Sequence, residues 1–312
     1  MNSNHKQESG GDCKTEQFFL GKKYAILGNH QGKYQKKPYR RIPQMKLTIL
    51  GTGNAKVTKC YNTCFALNEE DEKEYFLVDG GGGSTILKQL EDAGISWKDI
   101  HTIFVTHKHI DHLLGIIWML RMYCQGMARG QFDEEVRIYA HDEVIRLLRQ
   151  MSEMLLTPKE TAFIGEKAYL IEVKDGEEKS ILGHKTTFFD IRSTKAKQYG
   201  FCMEYADGKK LTCCGDEPYN ECEKKYAANS TWLLHEAFCL YSQADKFKPY
   251  EKHHSTVKDA CELAQKLGAE NLILYHTEDK NISRRKELYT AEGKPYYNGN
   301  LLIPDDLETI EL

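Results

Sequence analysis

The sequence predicts an α/β fold, an αββα four-layer sandwich of two mixed β-sheets packed face to face with helices on the outer faces. Three observations carry this. Strand-like and helix-like runs alternate from Met45 onward, they fall into two successive series, and polar residues stand directly after several of the strands. With 312 residues, 40% hydrophobic and 29% charged, the chain can build one large domain or two smaller ones with ample core.

In the first series Lys46–Leu50, Cys64–Leu67 and Tyr75–Val78 are β-branched, aromatic or apolar runs that read as strands. Gly80-Gly81-Gly82-Gly83 turns the chain into a helix through Leu90. Strand Thr102–Thr106, a helix to about Tyr123, strand Val136–Ala140 and helix Asp142–Leu155 follow. The second series reads as strands Tyr169–Val173, Thr186–Ile191, Gly200–Tyr205 and Lys210–Cys214, a helix near Tyr219–Ala227, strand Thr231–Leu234, helix Val257–Leu267, strand Asn271–Tyr275 and a short helix around Ser283–Tyr289. No internal repeat is visible.

The net charge of −3 hides an asymmetry. Residues 1–44 hold nine lysines and arginines against three carboxylates, which is +6 and leaves −9 for the remainder. This leader has no hydrophobic periodicity, so residues 1–44 are expected to be a basic, disordered extension and residues 45–312 the folded domain. A nucleic-acid-binding arm is one reading of it; a dispensable extension, with Met45 opening the first natural strand, is the other. No apolar stretch approaches the roughly 20 residues that a bilayer requires, and the polar N-terminus does not read as a signal peptide. The expectation is a cytoplasmic protein with no membrane contact, its ten cysteines reduced. Cys213-Cys214 and the Cys60/Cys64 pair invite a thiolate metal site, but both lie in strand-like sequence and a fuller ligand set exists elsewhere.

That set begins with His107-Lys108-His109-Ile110-Asp111-His112, between a strand and a helix. Three imidazoles and a carboxylate in six residues supply neutral nitrogen and anionic oxygen, and alternate residues of a short loop can face opposite sides. The second series repeats the placement: Asp216 follows one strand, His235-Glu236 another, and His276 a third. Strand ends hold ligands rigidly while leaving one side open, as a catalytic metal site requires.

These pieces, with Gly51-Thr52-Gly53, Val78-Asp79-Gly80-Gly81, His235-Glu236-Ala237, His254-Ser255-Thr256 and Tyr275-His276, give a chain that resembles the metallo-β-lactamase-fold hydrolases over about residues 45–280. It is most similar to their ribonuclease Z (tRNA 3′-endonuclease) branch. The resemblance implies a dinuclear zinc centre, Mn2+ or Fe2+ being the alternatives. His107, His109 and Asp216 would serve one metal, and Asp111, His112, Asp216 and His276 the other. It also implies that Asp111 orients or deprotonates the attacking water, that Glu236 and His254 protonate the departing oxygen, and that Asp79 buttresses the His loop. A phosphodiester substrate, RNA among the candidates, and a homodimer are further implications.

Two departures stand out. The resemblance calls for one more His before Tyr199-Gly200-Phe201, where this chain offers Arg192 or Thr194. Neither is a good zinc ligand, so the first metal site is expected to be weakened, unless Arg192 contacts a substrate phosphate. His184 lies about 25 Å from Arg192 along an extended strand, too far to substitute. The second departure is the lack of a Gly/Pro-rich arm between Gly126 and Gly183, and of an evident basic stripe, for gripping tRNA. Small cyclic or dinucleotide phosphodiesters remain open as substrates. A thioester, lactam or lactone hydrolase on the same fold, and a degenerate metal-binding protein with little activity, are the other readings.

Overall fold

A computed structural model describes residues 24–27, 35–38, 44–205 and 208–312. The chain divides into two units, Met1–Pro43 and Gln44–Leu312. In the first, strands β1 (Tyr24–Leu27) and β2 (Gln35–Pro38) pair antiparallel, with Tyr24 opposite Pro38. The sequence reading placed no strand there; apart from Gln44, the rest of the expected extension lies outside the described residues.

The second unit holds two seven-stranded sheets. Strands β3 (Met45–Gly51), β4 (Cys64–Glu69), β5 (Tyr75–Val78), β6 (Ile100–Val105), β7 (Val136–Ala140) and β8 (Ala168–Glu172) belong to one sheet. The other contains β9 (Glu178–Ile181), β10 (His184–Asp190), β11 (Tyr199–Tyr205), β12 (Lys209–Cys213), β13 (Trp232–Glu236), β14 (Asn271–Tyr275) and β15 (Asn300–Leu302). Strand β16 (Thr309–Glu311) returns to the first sheet, whose order is β16-β3-β4-β5-β6-β7-β8; the second runs β15-β14-β13-β12-β11-β10-β9. Each sheet is antiparallel on one side and parallel on the other, β5 to β8 and β12 to β15 forming the parallel parts.

Period-two patterning puts these strands between two apolar layers. In β6, Phe104 faces the opposite sheet while Ile103 and Val105 face the helices. In β14, Ile273 and Tyr275 face inward and Leu272 and Leu274 outward. Phe104 meets Phe188 at 4.7 Å and Phe76 meets Phe201 edge-on at 5.6 Å across the inter-sheet core. Helices α1 (Thr85–Asp92), α2 (Ile110–Ala128), α3 (Asp142–Leu155) and α4 (Pro158–Thr161) follow strands of the first sheet, and the helix-side core of that sheet includes Ile116, Leu120 and Val144. Helices α5 (Lys224–Ala227), α6 (Ala244–Phe247), α7 (Val257–Leu267) and α8 (Arg285–Gly293) belong to the second half, whose helix-side core includes Val257, Ala260 and Tyr289. The four-layer sandwich expected from the sequence is the architecture observed.

Three short strands escaped the sequence reading. Glu178–Ile181, Asn300–Leu302 and Thr309–Glu311 are sheet edges of three or four residues, too short to show alternation. The helix expected near Tyr219–Ala227 is a 3-10 turn over Glu221–Glu223 followed by α5. Nine cysteines among the described residues are free, and no metal-capable side-chain group among those residues includes one. No helix of the described residues is long and apolar enough to cross a membrane.

Candidate metal centre

Residues that follow β5, β6, β12 and β14 come into contact with one another, bringing both sheets to one centre. The β-branched run of β6 ends at Val105, and α2 begins at Ile110 with His109 at its N-cap in extended conformation. His107 is fully buried. Its Nδ1 meets the Thr106 hydroxyl at 2.9 Å and its Nε2 stands 2.7 Å from His109 Nδ1. Asp111 and His112 enter on the first turn of α2, where the helix dipole favours the Asp111 carboxylate.

Asp79, just past β5, supports this loop from below. It adopts a left-handed backbone (φ 58°), and its carboxylate accepts bonds from Thr106 N (2.8 Å), Thr106 Oγ1 (2.7 Å) and His112 Nδ1 (2.7 Å). The approach is close because Gly80 N donates to His112 O at 2.8 Å and Gly115 N donates to Gly81 O at 2.9 Å. A Cβ on Gly115 would stand 1.7 Å from Gly80 O, so only glycine lets α2 sit on this turn. With Nδ1 committed to Asp79, His112 turns Nε2 toward the centre, 3.5 Å from Asp111 Oδ2 and 3.5 Å from Asp216 Oδ2.

The second sheet supplies the facing groups. Asp216 follows β12 after Gly215, and His276 follows β14 in a left-handed backbone (φ 57°). Strained backbone at a non-glycine residue persists where the surroundings fix it. Here the Tyr275 hydroxyl donates to Gly215 O and ties the two loops together. His276 Nε2 stands 3.4 Å from Asp216 Oδ2 and 3.5 Å from Asp111 Oδ2, and His107 Nε2 is 3.5 Å from Asp216 Oδ2.

Beside His276 lies the Glu236–His254 pair. Glu236 ends β13, accepts from Ser255 N, and its other oxygen is 3.6 Å from His254 Nδ1. Thr256 caps α7 through a reciprocal box with Asp259. The His254-Ser255-Thr256 element is thus pinned at Ser255 by Glu236 and at Thr256 by its helix. His254 stacks on Phe238 at 4.9 Å and lies 5.2 Å from the His276 ring.

Burial works against charge on Asp111 and Asp216, yet the surrounding imidazoles hold both carboxyls well below the usual carboxylate range. Burial keeps His107 well below its ordinary value, only partly offset by Asp216. The Asp111 and Asp79 carboxylates overcome the same penalty at His112 and raise it. His112 Nε2, His276 Nε2 and Asp216 Oδ1 are buried without a hydrogen-bond partner. One such orphan costs about 1–3 kcal/mol. Here His107, His112 and Asp216 bring ligand atoms within 4.8 Å of one another, and so do Asp111, His112 and His276. Imidazole nitrogen and carboxylate oxygen gathered in this way fit a divalent cation.

Two sequence candidates fall elsewhere. Arg192 takes a left-handed backbone (φ 60°) and turns to the surface, 3.4 Å from Asp175 and 3.7 Å from Asp190. Two carboxylates flank its guanidinium, and it is not among the residues that line the cavity at the centre. Thr194 lies nearer: its N donates to Glu217 Oε2 and its hydroxyl meets His253 Nδ1, both at 3.2 Å. His184 bonds Glu69 at 2.7 Å and takes no part.

The centre opens into a cavity of about 890 Å3 lined by His109, Asp111, Asp216, His254 and His276. Five lysines (Lys56, Lys108, Lys195, Lys252 and Lys280), two phenylalanines, Phe238 and Phe247, and the carboxylates Glu278 and Asp279 are also part of its wall. The sequence reading found no basic surface because these lysines come from five separate segments and form no local run.

Residues 45–301 match the family described as Anti-Pycsar protein Apyc1. The ribonuclease Z of Brevibacillus brevis is 26% identical over 315 residues, covering 86% of this chain and 97% of that protein. Among solved structures, the metallo-β-lactamase-fold protein YhfI from Bacillus subtilis superposes with a TM-score of 0.69 at 18% identity, covering 86% of this chain and all of that one. The short form of human tRNase Z does so with 0.63 at 19% identity, covering 85% and 98%. The fold is the metallo-β-lactamase fold.

Proposed function

The chain belongs to the family described as Anti-Pycsar protein Apyc1, and from that membership and the geometry of its metal centre we propose a metal-dependent phosphodiesterase, similar to ribonuclease Z in its chemistry. The carrying observation is that Asp111, Asp216 and His276 of the donor cluster line one cavity with His254, whose Nδ1 lies 3.6 Å from Glu236. A thioester or lactone hydrolase needs the first but has no use for the second.

In this reading His107, His109 and Asp216 hold one zinc, and Asp111, His112, Asp216 and His276 the other. Such cations would supply Lewis acidity when bound. Asp111 would orient the attacking water and help to draw off its proton. As the new P–O bond forms and the old one breaks, His254 gives a proton to the departing oxygen, and the Glu236 carboxylate, 3.6 Å from Nδ1, orients the ring for that transfer. Asp79 keeps His112 Nε2 aimed at the centre.

A cavity of about 890 Å3 with a lysine rim and an aromatic wall suits a small phosphodiester, a cyclic nucleotide or a dinucleotide. RNA 3′-end processing is the second reading, favoured by the similarity to ribonuclease Z. Against it, β7, α3, α4, β8 and β9 take up most of residues 129–183, leaving little chain for a tRNA-gripping arm. A cytoplasmic location and a homodimer complete the proposal, as does a basic extension over residues 1–44.

The test is turnover of bis(p-nitrophenyl) phosphate, of cyclic nucleotides and of a precursor tRNA with a 3′ trailer, with Zn2+ or Mn2+ supplied. Hydrolysis by the wild type and its loss in Asp111→Ala are expected. Activity untouched by Asp111→Ala would refute the scheme, and a wild type inert on every substrate would point to the degenerate alternative.

A further inference from the structure

One of the cavity lysines stands apart from the others. Lys195 follows Thr194 in the loop after β10, and 25% of its side chain is exposed, against 45% for Lys108 and 58% for Lys280. Lys108 and Lys280 are paired with acids, Glu143 at 2.8 Å and Asp279 at 2.9 Å. Lys195 Nζ donates to Lys252 O at 3.0 Å and pairs more loosely, at 3.7 Å, with the buried Glu217 Oε1. The other oxygen of Glu217 accepts from Thr194 N. An ammonium has three donors, and the Lys252 carbonyl takes one.

Lys195 lines the same cavity as His109, Asp111, Asp216 and His276. A cation this enclosed is screened less than one at the rim, so it acts more strongly on an anion in the cavity.

We propose that Lys195 is a phosphate-binding residue whose ammonium contacts a non-bridging oxygen of the scissile phosphodiester and stabilises the negative charge that oxygen carries as the attacking oxygen bonds to phosphorus. This rests on the phosphodiesterase reading. Tethered by the Lys252 carbonyl, the ammonium is positioned before substrate arrives, which is where electrostatic stabilisation is most effective.

The metal-loaded full chain, titrated with inorganic phosphate and assayed with bis(p-nitrophenyl) phosphate, tests this. Lys195→Gln keeps an N–H for the Lys252 carbonyl and removes only the charge; Lys195→Met removes both. Both variants should bind phosphate about tenfold more weakly, with kcat lowered and metal content unchanged. Normal phosphate affinity in Lys195→Gln, whether or not Lys195→Met is impaired, would reduce Lys195 to a strap between two loops and overturn the proposal. So would a loss of metal that tracks the loss of phosphate. If phosphate binding depends on Lys195 but the wild type hydrolyses no diester, the phosphodiesterase reading fails while the anion site stands.

Discussion

His112 Nδ1 stands 2.7 Å from Asp79 Oδ2, and the same carboxylate accepts from the backbone and the hydroxyl of Thr106. One buried acid thereby fixes the tautomer of a donor imidazole and the path of the loop that carries His107, His109 and Asp111.

Asp79→Asn should separate these two duties. Asparagine tolerates the left-handed backbone at this position and can still accept a bond, so the fold should persist. The neutral amide is a poorer partner for His112, and zinc affinity should fall 10- to 100-fold. A competition titration against a chromophoric chelator measures it; wild-type affinity would show that the carboxylate has no part in tuning the donor.

From the sequence, the metal position served by His107 and His109 is expected to be the weaker of the two. Thr194 is held beside His253 and Glu217, the neighbour of Asp216, whereas Arg192 is turned away toward Asp175. Thr194→His should tighten the weaker site, and Arg192→His should leave it unchanged. Metal stoichiometry at limiting zinc distinguishes them, and two equally tight zincs in the wild type would remove the premise.

Gly115 and Gly80 are in backbone contact, so a methyl group at Gly115 must push α2 off the Asp79 turn. Overpacking of this kind costs about 1–3 kcal/mol, and here the lost seat is that of His112. Gly115→Ala should lower Tm and weaken metal binding together. Gly130, with nothing near its missing Cβ, is the control, and Gly130→Ala should leave metal binding alone.

The donor set was legible in the sequence because His107 to His112 are contiguous and because Asp216, Glu236 and His276 each follow or close an apolar run that reads as a strand. What the sequence left open depended on backbone geometry. Whether Arg192 or Thr194 faces the centre turns on the left-handed step at Arg192 after β10, which nothing in the local composition announces. The lysine wall was hidden for a related reason, since its members meet only once both sheets are stacked. The edge strands β9, β15 and β16 were too short and too polar to register as strands.

Glu223 offers a test of the fold away from the metal. It is fully buried, Oε1 accepts from Asn220 N at 2.7 Å, and Oε2 has no partner. Burial pushes its carboxyl up from 4.5 to about 8. The folded chain therefore keeps a proton here that the unfolded chain releases between those values. The contribution of this group to stability is complete below about pH 4.5 and declines as pH rises toward 8, by at most about 1.4 kcal/mol per pH unit. Glu223→Gln retains an oxygen for Asn220 N and cannot ionise. Urea unfolding of both proteins from pH 5 to 9 should show the wild type losing ground to the variant as pH rises, the gap opening through neutrality and levelling off above pH 8. A gap independent of pH would mean that Glu223 is already ionised in the folded chain and has found a partner for Oε2.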